Sequence, residues 1–152
     1  MSLFARIQQY FRKFGLMSSL TFDQQVWGAK SVIDLAQFKS QFLIAQGPLN
    51  GTVYTCWMGS RDKVPTAVTV DSTGHATGPF PDSSHVQDCV AWTYPPKVSC
   101  AQAVANMAKA GITEPWTFCT LKKVTGQKNP TYNFQFASHA PVTVDAATGK
   151  LL

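Results

Sequence analysis

The stretch Val68-Thr69-Val70-Asp71-Ser72-Thr73-Gly74 returns near the end of the chain as Val142-Thr143-Val144-Asp145-Ala146-Ala147-Thr148-Gly149. In each copy a period-2 run of β-branched residues stops at an Asp and a Gly. A strand running into a tight turn looks like this, because Asp accepts hydrogen bonds from the backbone just ahead of it and Gly tolerates positive φ. An aromatic-rich run precedes each copy: Val53-Tyr54-Thr55-Cys56-Trp57-Met58 in the first half and Tyr132-Asn133-Phe134-Gln135-Phe136 in the second. Internal repetition of this kind defines an architecture. The sequence predicts an α+β fold of two similar helix-plus-antiparallel-strand repeats, preceded by an N-terminal amphipathic helix.

Outward from the second copy, Tyr132, Phe134 and Phe136 alternate with Asn133 and Gln135, the pattern of a half-buried strand pairing antiparallel with 142–145. Thr125 to Pro130 reads as a hairpin loop, and Trp116 to Val124 as the strand before it. Ser99-Cys100-Ala101-Gln102 opens a helix with a side chain able to bond back to the cap. Ala101, Val104, Ala105, Met107 and Ala108 give that helix a small-residue face, and Gly111 ends it. Outward from the first copy, a strand is expected at about 52–58, followed by a charged loop from Gly59 to Lys63. Ser31-Val32-Ile33-Asp34 reads as the start of the first repeat's helix, with Val32, Leu35, Phe38, Phe42 and Leu43 on its apolar face. Gly47-Pro48-Leu49-Asn50-Gly51 breaks that helix. His75 to Ser84, with Gly78, Pro79 and Pro81, reads as irregular, and Val86 to Trp92 as a further strand. Tyr94-Pro95-Pro96 is the best boundary between the halves. The organisation expected is therefore an N-terminal helix and connector over 1–29, a first repeat over 30–94 and a second over 95–152.

Residues 2–14 form the clearest amphipathic stretch. At 100° per residue Leu3, Phe4, Ile7, Tyr10, Phe11 and Phe14 fall in a stripe roughly 120° wide. Arg6, Gln9, Arg12 and Lys13 lie opposite, Gly15 can end the helix, and no acidic residue occurs before Asp23. Such a helix suits the domain's own core, a membrane interface or a groove on a partner, and it is similar to a mitochondrial presequence. It lacks the uninterrupted apolar core of a secretory signal, and no apolar run approaches the ~18 residues of a membrane-spanning helix. The stripe is expected to meet a partner or lipid through Leu3, Phe4, Arg6, Ile7, Tyr10, Phe11, Arg12, Lys13 and Phe14.

Charged residues make up only 14% of the 152-residue chain, against 45% apolar, and Glu114 is its one glutamate. So thin a charge suggests surfaces that meet other protein or membrane. The net charge of +5 comes from scattered lysines and arginines, so nucleic acid is not expected as a partner. Four cysteines, Cys56, Cys89, Cys100 and Cys119, permit three complete pairings. Without a CxxC and with its three histidines far apart, the chain is expected to hold no metal, and no cofactor is implied. Two readings of the cysteines stand open: buried free thiols, or a Cys89–Cys100 bridge closing the loop around Pro95-Pro96.

The second half resembles the PepSY-type module, in which a helix and a Tyr- or Phe-bearing strand precede a strand ending Val-Asp-Ala-x-Thr-Gly-Lys. Here that ending is Val144-Asp145-Ala146-Ala147-Thr148-Gly149-Lys150, with Tyr132 in the strand before it. The first half is similar more loosely, through Val70-Asp71-Ser72-Thr73-Gly74-His75. The resemblance covers about residues 30–76 and 99–152 and leaves out the N-terminal helix. It implies a non-catalytic module of the kind found beside peptidases or in envelope proteins, with a binding or inhibitory role.

Candidate chemistry is sparse. His75, His85 and His139 lie beside turns, and with Cys89 or Ser84 one of them could form a nucleophile pair. Asp71 and Asp145 could do acid–base work if their carboxyls converged, but turn-building accounts for both. The chain is therefore read as a non-enzymatic accessory subunit of a larger, membrane-associated assembly, with mitochondrion as the expected setting. A soluble PepSY-like binding or peptidase-inhibitor domain is the alternative, and a virion component a further one.

Overall fold

In the computed structural model, residues 19–36, 40–59 and 64–152 are described. Seven strands form one antiparallel sheet. They are β1 (Ser40–Pro48), β2 (Val53–Gly59), β3 (Pro65–Val70), β4 (Ala76–Pro81), β5 (Phe118–Lys122), β6 (Thr131–Gln135) and β7 (Val142–Asp145). The order across the sheet is β4-β3-β2-β1-β5-β6-β7. Helix α1 (Phe22–Leu35) precedes β1, and helix α2 (Cys100–Lys109) precedes β5.

Strand alternation divides the core between the two faces of the sheet. Phe42 and Ala45 of β1, Val53 and Trp57 of β2, and Tyr132 and Phe134 of β6 join Val26, Ile33, Ala103 and Met107 of the helices in one large cluster. Both helices therefore lie on one face. Their burial follows from helical spacing: Phe22, Val26, Ala29 and Ile33 on α1, and Cys100, Ala103 and Met107 on α2. On the other face Leu43, Ile44 and Cys56 form a smaller cluster, covered by Val86, Cys89 and Ala91. A register shift between Phe42 and Ile44 accompanies the entry of both Leu43 and Ile44 into that cluster.

Several expectations are corrected. Residues 22–29, expected as connector, are helix. Thr21 rather than Ser31 caps it, with a reciprocal box in which the Thr21 hydroxyl accepts from Gln24 N and the Gln24 side chain accepts from Thr21 N. Ser31 lies in the later part of α1, its hydroxyl donating to the Trp27 carbonyl, so a boundary at residue 30 would cut the helix. The helix ends at Leu35, and Phe42 and Leu43 stand in β1. Phe42 pairs with Trp57 of β2 on one side and bridges to Trp92 on the other; β5 joins β1 from Ile44 onward. Ladder pairing on both sides overrides the helical spacing read from the sequence. Phe38 and the loop Ser60–Lys63 lie outside the described residues.

Ala76–Pro81 is a strand after all. It is an edge strand, where Pro79 and Pro81 forgo few ladder bonds and discourage pairing with a further chain. Conversely, Val86 to Trp92 adds no strand. It makes isolated bridges from Trp92 to Phe42 and from Cys89 to Val124. Across the expected boundary at Tyr94-Pro95-Pro96 the sheet runs on unbroken, because β1 pairs with β5.

Both Val-Thr-Val-Asp segments end in the same way. Asp71 Oδ1 accepts from Thr73 N, Thr73 Oγ1 and His75 N at 2.9, 2.7 and 2.9 Å. Asp145 Oδ1 accepts from Ala147 N and Thr148 N at 2.7 and 2.9 Å. Gly74 (φ +90°) and Gly149 (φ +78°) close the turns, donating to the Asp71 and Asp145 carbonyls. A Cβ on Gly149 would also meet Asn106 Nδ2 at 2.7 Å, the atom that donates to the Gly149 carbonyl and ties the turn to α2.

Both carboxyls are held below the usual range. Partial burial opposes ionisation, but the Thr73 and His75 bonds outweigh it at Asp71, and those from Asn129, Thr148 and Ala147 at Asp145. Groups with lowered folded pKa values stabilise above their unfolded value, about 3.9, and lose that contribution as pH falls through the folded value. Urea unfolding midpoints are therefore expected to fall between pH 5 and pH 2 as these turns protonate. In the double variant Asp71→Asn, Asp145→Asn the fall should be smaller; an unchanged acid profile would remove these turns from the account.

Candidate functional site

A cleft lies where the chain enters α1. Leu20, Phe22, Gln25, Leu49, Val104 and Trp116 line a cleft of about 300 Å³ between α1, the β1–β2 turn and the start of α2. Trp116 meets Phe22 edge-on at 6.2 Å and Phe134 at 5.8 Å. Gln25, 2% exposed, donates through Nε2 to the Gly51 and Val70 carbonyls at 2.7 and 2.8 Å. Its amide thus satisfies two carbonyls below the cleft that would otherwise be costly to bury.

Asp23 is the charged group of the wall, and it is occupied. Its two carboxylate oxygens accept from Cys100 N and Ala101 N at 2.8 and 3.0 Å. Ser99 Oγ accepts from Gln102 N at 3.0 Å, so the opening donors of α2 are held from two sides. The carboxylate also sits at the positive end of the α2 dipole. Chemically the cleft can receive an apolar side chain. Its rim is apolar and partly open, with Leu49 41% exposed.

On the opposite face a second group of polar side chains gathers around Asp82. Tyr54 OH donates to Asp82 Oδ2 at 3.0 Å, and Ser84 N and Oγ donate to Oδ1 at 2.9 and 2.6 Å. The Ser84 bonds hold the Asp82 carboxyl below its usual range. Cys56 Sγ donates to the Asp82 carbonyl at 3.5 Å, and burial pushes its thiol up to about 11. The His85 ring stands edge-on to Tyr54 at 4.8 Å.

The candidates read from the sequence are distributed as follows. Cys89 Sγ reaches the His85 carbonyl, not its ring, and Ser84 serves Asp82. His139 stacks on Phe136 and lies 3.2 Å from Glu114 Oε2, while Ser138 donates to Glu114 Oε1. Here the carboxylate stands between serine and histidine, so the imidazole is not placed to take the hydroxyl proton. Asp71 and Asp145 end β3 and β7, which are five strand steps apart, about 24 Å. They do not converge. All four cysteines are free thiols; of the two readings left open, the Cys89–Cys100 bridge is disfavoured by position, since Cys89 packs with the smaller cluster and Cys100 with the helix-side core. The sheet lies between them. The stripe from Leu3 to Phe14 lies outside the described residues.

Asp23 and Gln25 were missed in the sequence because residues 17–29 read as connector. The signal was present in Thr21-x-x-Gln24, a capping box that puts Asp23 in the first turn and Gln25 on the buried side.

The described residues define an α+β protein in which one antiparallel seven-stranded sheet carries two helices on one face. No family model matches the chain, and no curated protein matches it in sequence. Among solved structures, a putative lipoprotein from Clostridium difficile 630 is similar, with a TM-score of 0.55 and 14% identity over 90% of this chain and 97% of that one. That likeness is one of fold.

Proposed function

We propose that this chain is a non-enzymatic accessory subunit of a membrane-associated assembly, a duplicated docking body attached through its N-terminal stripe. The observation that carries the reading is the apolar cleft lined by Leu20 and Phe22, the first hydrophobic residues of the described chain. They follow Phe14 by six and eight positions in the sequence. The acidic wall residue is already bonded to α2, which leaves the cleft to apolar contact.

Duplication is part of the same proposal. Its support is the order helix, strand, strand, Val-Thr-Val-Asp strand on each side of the β1–β5 pairing, with Gln46 opposite Thr120. Thr21 and Ser99 cap the two helices alike, and Asp71 and Asp145 close the two turns alike. A PepSY-type binding or inhibitor domain is the second reading, favoured by the Val144–Lys150 turn built on Asp145. A lipoprotein is held at a membrane by its lipid, and the C. difficile likeness supports use of such a body at a membrane surface. The mitochondrial setting rests on the composition of residues 2–14.

Phe4, Ile7, Phe11 and Phe14 forgo roughly 1.5–3 kcal/mol apiece if left in water rather than fully buried. Phe11→Asp is therefore expected to release the protein from its native complex or from membranes, as read by size-exclusion and flotation of source extracts. Its melting temperature should move by less than ~2 °C. Unfolding of the isolated variant would instead assign the stripe to the domain's own core and remove the main support for an assembly subunit.

A further inference from the structure

The four cysteines fall into two pairs, one on each face of the sheet. Cys100 opens α2 and Cys119 stands in β5 facing the helices; both belong to the main core, at 4% and 0% exposure. Both side chains lie in the helix-side core, where burial and then the neighbouring Cys100 thiol push that of Cys119 up. Cys56 of β2 points to the other face, where Cys89 packs against the same small cluster with Leu43 and Ile44. The chain between Val86 and Trp92 is held there by bonds from Val90 N to the Lys123 carbonyl and between Phe42 and Trp92. Every other complete pairing would pass through the sheet, which the short reach of a disulfide forbids.

We propose that in an oxidising compartment this protein carries two disulfides, Cys100–Cys119 beneath the helices and Cys56–Cys89 on the opposite face. The oxidant required is a small-molecule disulfide such as oxidised glutathione. One cysteine thiolate attacks a glutathione sulfur and expels the first glutathione thiolate. The second cysteine then attacks the mixed disulfide and expels the other. Two cysteine thiols are oxidised, one glutathione disulfide is reduced to two thiols, and the cysteine protons pass to the departing thiolates. Burial raises the thiol pKa values of Cys56, Cys89 and Cys119, with the Cys100 thiol adding to the effect at Cys119. Burial thus keeps at least one thiol of each pair from ionising readily in the folded protein, so both bonds form during folding. Once closed, Cys100–Cys119 fastens the start of α2, already tied to α1 by Asp23, to the middle of the sheet.

The test uses the full chain, unfolded and reduced, then refolded in a reduced and oxidised glutathione buffer and alkylated. Trypsin separates all four cysteines, Cys56 in 40–61, Cys89 in 64–97, Cys100 in 98–109 and Cys119 in 110–122. Non-reducing mass spectrometry should find 98–109 joined to 110–122 and 40–61 joined to 64–97. The oxidised protein should melt roughly 5–10 °C above its reduced form. Absence of either linkage, four alkylated thiols, or a 64–97 to 98–109 linkage would overturn the proposal.

Discussion

Phe42→Ala is expected to cost about 3–5 kcal/mol. Phe42 is 1% exposed at the centre of the sheet. Its ring meets Trp57 and Trp92 edge-on at 4.8 Å and Tyr94 at 5.4 Å. Its backbone N–H and carbonyl both bond Trp92, at 3.1 and 3.0 Å. One side chain therefore joins β1, β2 and the long crossing between the halves. Removing it leaves a cavity among three large rings that relax poorly, because Trp57 is itself fixed by its indole N–H on Thr55 Oγ1 at 3.0 Å. Thermal and urea unfolding should both shift, with a melting temperature lower by roughly 10 °C. Loss of less than ~1 kcal/mol would mean that the aromatic cluster is not the centre of the core. Phe42→Leu, which keeps most of the volume, should recover more than half of the loss.

Asp23→Ala should have the next largest effect, about 2 kcal/mol. The carboxylate accepts two backbone bonds at the opening of α2, and charge-assisted bonds of this kind contribute about 1.5–3 kcal/mol. It is also a tie between α1 and the first turn of α2. Without it the Cys100 and Ala101 donors face the apolar cleft, where water replaces the carboxylate incompletely. Hydrogen exchange should quicken selectively at Cys100 and Ala101, while Gln102, capped by Ser99, changes less. Asp23→Asn keeps an acceptor oxygen and should lose about half as much. Uniformly faster exchange across the sheet would show that Asp23 supports the whole fold rather than one helix end.

Much of the second half was legible because its local signals agree with one another. Ser99 caps, Gly111 ends, Tyr132 and Phe134 alternate, and Asp145 turns, each where its side chain or its lack of one demands it. The first half was less legible because its signals conflict. Phe38, Phe42 and Leu43 continue a helical spacing that Val32 and Leu35 begin, yet Ser40–Pro48 is a strand. A segment flanked on both sides by strands satisfies all its backbone groups in a ladder, and no local pattern announces that it will be central. Edge position decided β4 in the same manner, since a Gly-Pro-Phe-Pro run is poor strand material anywhere else.

Local chemistry thus determined by itself the class of the protein, the turns at Asp71 and Asp145 and the helix beginning at Ser99. Those features depend on residues within a few positions of one another. The tertiary structure alone decided that β1 and β5 join the halves into one sheet, that Asp23 caps a helix beginning 77 residues later, and which cysteines share a face. Each of these is a contact between residues far apart in the chain. Their partners are fixed only when alternating side chains are sorted to the two sides of a common sheet.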